Sequence, residues 1–67
     1  MMNDANLTKI LIDNYGVKKE IIALRTKASV RSVERWYDGD ALPLPTYQDV
    51  LRKMVERKQR DREALRG

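Results

Sequence analysis

The 67-residue sequence predicts an all-α fold, a single small four-helix domain with a charged C-terminal helical tail. Three observations carry this. Apolar residues recur three and four positions apart in successive segments, which lines up one face of a helix. Residues suited to opening and closing helices stand between those segments. Hydrophobic residues make up 42% of the chain, too many for a wholly disordered one. A chain of this length buries only about 60% of its unfolded surface, so its core has to be economical. Cysteine and histidine are both absent, which excludes disulfides, thiolate metal sites and imidazole catalysis. Apolar runs such as Ile10 to Ile12 are far too short for a membrane span or a signal-peptide core. A soluble, cytoplasmic protein is expected.

Met1 to Asn6 has no periodicity and is expected to fray, with Asp4 or Asn6 available as a helix cap. Leu7, Ile10, Leu11 and Tyr15 then share one face and predict a first helix over about Leu7 to Asn14. Gly16 is placed to stop it in the left-handed region. Val17 is positioned to staple the first turn of a second helix, Lys18 to Thr26. That helix turns Ile22 and Ala23 inward and leaves Ile21 and Leu24 off the buried face. After the tight connection Lys27-Ala28-Ser29, the Ser29 hydroxyl is suited to accept a backbone N–H and open a third helix, about Val30 to Tyr37. Val33 and Trp36 share its inner face, opposite Arg31, Glu34 and Arg35. Asp38-Gly39-Asp40 ends it, and Ala41 to Pro45 forms a loop carrying Leu42 and Leu44. Thr46 with Asp49 reads as a near capping box for the fourth helix. There Tyr47, Val50, Leu51, Met54 and Val55 make a core-facing stripe. Beyond Val55 the chain is almost wholly charged to Arg66. Three courses are open to this tail: extension of the fourth helix, folding onto phosphates, or fraying over about residues 58–67.

The net charge of +4 is unevenly distributed. Residues 17–35 hold six basic against two acidic groups, a net +4, and residues 46–67 hold seven against four, a net +3. The intervening and N-terminal segments are acidic. Cations concentrated in this way are explained by neutralisation of nucleic-acid phosphates. Two short helices joined by a tight turn make a helix-turn-helix, whose second helix enters the DNA major groove. In that geometry Val30, Arg31 and Ser32 reach base edges, with Arg35 one turn later. An arginine fork can take guanine O6 and N7 together, worth about 1–3 kcal/mol of discrimination. Val30 suits a thymine methyl, and Ser32 could instead hold a phosphate. Lys18 and Lys19 stand at a helix N-terminus, against the macrodipole's preference, where backbone N–H groups can bind an anion. With Ser29 and Lys27 they form the expected phosphate set. Glu34 has three open partners: Arg31, Arg35 or a cytosine amino group. A plainer account stands beside this one. Any small helical domain buries Val, Trp and Ile, and exposed arginine is ordinary in a chain that is 36% charged.

Ala23, Ser29, Val33, Trp36 and the run Arg35-Trp36-Tyr37-Asp38-Gly39, followed by Pro43, resemble the helix-turn-helix of the phage repressor and Cro class, the XRE-like family. The resemblance spans about Leu7 to Met54. It implies a repressor-like domain in which Ala23 stays small where helices cross, Ser29 opens the recognition helix, and Val33 and Trp36 are that helix's two buried positions. It also implies that Lys19 touches the DNA backbone and that the loop after the third helix feeds subunit contacts. The implied function is transcriptional control by occupying a double-stranded DNA operator, without chemistry or cofactor. A homodimer would read two half-sites about one helical turn apart, in bacterial cytoplasm or nucleoid, or in a host cell if phage-encoded. One departure is visible. Where the family has glycine at the turn, this chain has Lys27. A side chain in the left-handed region costs roughly 1 kcal/mol or more, so a differently built turn is expected.

Two alternatives are drawn from the same residues. Thr26, Ser29-Val30-Arg31-Ser32 and Trp36-Tyr37 are also similar to excisionase and MerR-like architectural proteins, but the eight residues from Asp38 to Pro45 are short for the two-stranded wing of that group. The other is a helical protein-binding module, antirepressor- or antitoxin-like, using Ile21, Leu24, Leu42 and Leu44. An enzyme is not expected, because no glycine-rich phosphate loop is present and the acidic residues are scattered.

Overall fold

The computed structural model describes residues 6–66, and within them the fold is all-helical, with four helices and no strand. The expectation of fraying over Met1 to Ala5 lies outside the described residues, as does Gly67. The first helix, α1, has an α-helical turn, Leu7–Lys9, that runs into a π-helical turn, Ile10–Asn14. A plain α-helix was expected here. The wider turn has a physical consequence. With more residues per turn, the consecutive side chains Ile10, Leu11 and Ile12 subtend a narrower arc. All three then meet the core, Leu11 fully buried and its neighbours half-buried. Gly16, at φ +67°, reverses the chain, and the Val17 N–H donates to the Leu11 carbonyl at 2.9 Å. Val17 is thereby tucked into the core rather than lying at its edge.

The second and third helices are α2, Lys19–Thr26, and α3, Val30–Asp38. The turn between them corrects the expectation drawn from Lys27. It is not built differently; Lys27 itself takes the left-handed conformation, at φ 64° and ψ 24°. The cost of roughly 1 kcal/mol is offset by two closures. The Ala28 N–H donates to the Ala23 carbonyl at 3.1 Å, the six-to-one bond of a Schellman motif. The buried Thr26 hydroxyl donates to the Ile22 carbonyl at 2.8 Å and accepts from the Ala28 N–H at 3.3 Å. Gly39 closes α3 in the same handedness at φ 83° without that cost.

The fourth helix, α4, spans Pro45–Arg66 and corrects two expectations. It starts one residue before Thr46, so the Thr46–Asp49 capping box does not form. The Leu44 carbonyl instead accepts the Gln48 N–H at 2.9 Å. Pro45 then stands in the first turn, where its missing N–H costs nothing. The Gln48 side chain donates to the Pro43 carbonyl at 3.0 Å, and Asp49 pairs with Arg52. The charged tail also takes the first of its three courses. It continues α4 as helix instead of fraying, and Arg62 donates to the Asn14 carbonyl at 2.8 Å while its guanidinium lies 4.4 Å from the Tyr15 ring centre.

The core lies where α1, α2 and α3 meet the first half of α4. Leu11, Val17, Ile22, Ala23, Val33, Trp36, Leu51 and Val55 are buried there. Trp36 packs against Tyr47 with ring centres 5.2 Å apart and planes tilted by 39°, a separation within the range of interacting aromatic pairs. Fully burying one such large apolar side chain stabilises by about 1.5–3 kcal/mol. These eight positions are therefore the main source of stability. Among the described residues no helix is long and apolar enough to cross a membrane.

Candidate nucleic-acid interface

The site is built on α2, the Lys27 turn and α3. Ser29 opens α3 as its spacing predicts: its side-chain oxygen accepts the Ser32 N–H at 3.1 Å, and its hydroxyl lies 3.0 Å from that of Ser32. The four residues expected to frame the motif do so, since Ile22, Ala23, Val33 and Trp36 are all buried. This fixes which side of α3 remains outside. Arg31 and Arg35, one turn apart, are exposed there. Among the described residues neither side chain has an ion-pair or hydrogen-bond partner. Both forks are free to meet a ligand.

The other expected base readers are placed differently. Val30 is half-buried and packs against the core, which leaves only part of its side chain for a thymine methyl. Ser32 is half-buried, with its hydroxyl held in the cap by Ser29. Of the expected phosphate set, Lys18 is exposed at the start of α2 and Lys27 is exposed at the turn. The Ser29 hydroxyl is engaged in capping. Lys19 is ion-paired with Glu34 across the α2–α3 junction.

That pair settles the position of Glu34 in a way none of its three expected partners does. The Lys19 ammonium donates to Glu34 Oε2. This hydrogen bond, more than the charge alone, raises Lys19 above its ordinary 10.5 and lowers Glu34 below its ordinary 4.5, with the charge of Arg31 adding to the latter. The pair's contribution is complete between those two ordinary values. It is lost on the acid side as pH falls through the lowered Glu34 value, and on the alkaline side as pH rises through the raised Lys19 value. Glu34 thus engages one cation of α2, while Arg31 and Arg35 have no ion-pair partner among the described residues.

Asn6 has a second function beyond the helix cap it was expected to be. Its Oδ1 accepts the Lys9 N–H at 3.0 Å and caps α1. Its Nδ2 also donates to the carbonyls of Trp36 and Tyr37 at 2.8 and 3.2 Å. One side chain therefore satisfies the start of α1 and the end of α3. Nearby, the Tyr37 hydroxyl donates to Asp13 at 2.8 Å, which raises the Tyr37 value above its ordinary 10.0. Lys9 lies 5.4 Å from the centre of the Tyr37 ring. These contacts hold the C-terminal half of α3 to α1.

Comparison with protein-family models, with curated proteins and with solved structures finds no match to this chain. The functional reading rests on the geometry of α2 and α3.

Proposed function

We propose that this chain is a sequence-specific double-stranded DNA-binding regulator of transcription, of the repressor and Cro-like kind, with α3 in the major groove. The observation that supports this best is the division of α3. Val33 and Trp36 anchor one face in the core, while Arg31 and Arg35 stand exposed on the other, without an ion-pair partner among the described residues. In this reading Arg31 is the principal base reader, reaching guanine O6 and N7 with its planar fork. Arg35 supports it one turn later, and Val30 and Ser32 contribute their exposed parts. Lys18 and Lys27 neutralise phosphates on either side, and Lys19 joins them when it leaves Glu34.

We further infer that the protein reads its site as a homodimer in the cytoplasm, two copies of α3 meeting half-sites about one helical turn apart. Leu42 and Leu44, 84% and 62% exposed beside the end of α3, are the apolar residues available for that contact. No cofactor or chemical step enters. Selection of bound duplexes from a random-sequence pool tests the reading. Recovery of a motif with two related halves is the expected result. A pool that stays random through successive rounds would remove sequence-specific recognition from the account.

A further inference from the structure

A second surface stands apart from α3. The outer side of α2 and the second half of α4 enclose a groove of about 610 Å³, lined by Lys18, Ile21 and Arg25 on one side and Met54, Arg57 and Lys58 on the other. No α3 residue lines it. Its floor is apolar: Ile21 is 44% exposed and Met54 half-buried above the buried Val17. Its rims are basic, four cations against the single carboxylate of Asp61. Among the described residues none of Lys18, Arg25, Arg57 and Lys58 has an ion-pair or side-chain hydrogen-bond partner. The far wall is held in place, because Arg62 ties α4 to the Asn14 carbonyl and the Tyr15 ring. At the open end a Cβ added to Gly16 would meet nothing within 4 Å.

We propose that this groove receives an acidic amphipathic helix of a partner protein, with its apolar side chains on Ile21 and Met54 and its carboxylates on Lys18, Arg25, Arg57 and Lys58. An apolar floor between charged rims is the arrangement that takes a helix lengthwise, and a flexible methionine lets such a floor adapt to its occupant. Met54 to Asp61 rises about 10 Å along α4, so the groove matches roughly two turns of a bound helix. The apolar floor decides between anionic partners. A nucleic-acid backbone would satisfy the four cations but offers nothing apolar to cover Ile21 and Met54. A carboxylate-bearing helix satisfies both. The inference is independent of the DNA reading, since the surfaces share only Lys18.

The test uses the full chain, isotope-labelled, with three probes followed by two-dimensional NMR. One is a synthetic helical peptide of about four turns with leucines along one face and glutamates on both flanks. Another has the same composition, scrambled so that the leucines no longer share a face. The third is a short DNA duplex. The amphipathic peptide is expected to give saturable shifts at Val17, Ile21, Arg25, Met54, Arg57 and Lys58, and the scrambled one to bind about tenfold more weakly or less. Arg57→Glu with Lys58→Glu, at exposed positions, is expected to weaken the first peptide by at least about tenfold with an unchanged thermal melt. Ile21→Ala is expected to weaken that peptide while leaving duplex binding intact. Equal affinity for both peptides would reduce the groove to a charged surface and overturn the proposal. So would groove shifts driven by the duplex and not by the peptide, or no shifts at all.

Discussion

The two faces of α3 hold their side chains under opposite constraints. On the inner face, Val33 and Trp36 are buried, and the carbonyl of Trp36 is held by Asn6. On the outer face, the Arg31 and Arg35 side chains make no ion pair or hydrogen bond among the described residues, while Glu34 is committed to Lys19. The inner residues specify where the helix lies, and the outer ones are left with their hydrogen-bonding capacity intact. Any core-facing surface helix divides in this way; the DNA reading adds that the outer arginines recognise bases. The difference predicts two separable classes of mutation, one felt in stability and the other in binding.

The largest effect belongs to the inner face. Trp36→Ala removes the partner of Tyr47 and is expected to destabilise by about 3–5 kcal/mol, a large part of a small domain's total of roughly 5–15 kcal/mol. Thermal unfolding followed by circular dichroism should lose its cooperative transition; a melt close to wild type would break the comparison at its stronger side. Asn6→Ala removes a cap from α1 and a donor from the end of α3. It is expected to cost about 0.5–2 kcal/mol in urea unfolding, with faster amide exchange at Asp40 and Ala41, the residues that close α3 onto the Arg35 carbonyl. Exchange accelerated in α1 alone would deny Asn6 its second role.

Smaller effects sharpen the boundary between the faces. Lys27→Gly relieves the left-handed strain but loosens the unfolded chain. The expected net gain is a few tenths to about 1 kcal/mol, and a loss of stability would show that Lys27 is not strained. Glu34→Gln should leave the melt unchanged because the Lys19 pair is exposed, yet free one more cation for phosphate. The dependence of DNA affinity on salt should steepen by about 0.9 in log–log slope. An unchanged slope would mean that Lys19 does not reach the backbone.

Much of this arrangement was legible in the sequence. Helical spacing gave four helices, and Ser29, Gly16 and Gly39 stand at the caps their chemistry suits. What was not legible has a common cause. Lys19 and Glu34 are 15 residues apart, Asn6 and Trp36 are 30 apart, and Arg62 and Asn14 are 48 apart. Such pairings are decided when helices dock, and no local spacing announces them. The Lys27 turn illustrates a related limit. Local propensity argued against a left-handed lysine, and the closures made by Ala28 and Thr26 outweighed it. The half-burial of Val30 was hidden too, because the first residue of α3 lies at the margin between core and solvent.

The central claim is that the outer face of α3 reads DNA, and Arg31→Ala tests it most directly. Wild type and variant would be titrated with the duplex enriched by selection and with a shuffled duplex, across a salt series. The variant is expected to melt like wild type and to lose about 1–3 kcal/mol of preference for the enriched duplex, while its weaker binding to the shuffled one changes little. If both proteins bind both duplexes alike at every salt concentration, α3 contributes charge without recognition, and the account of its two faces is contradicted.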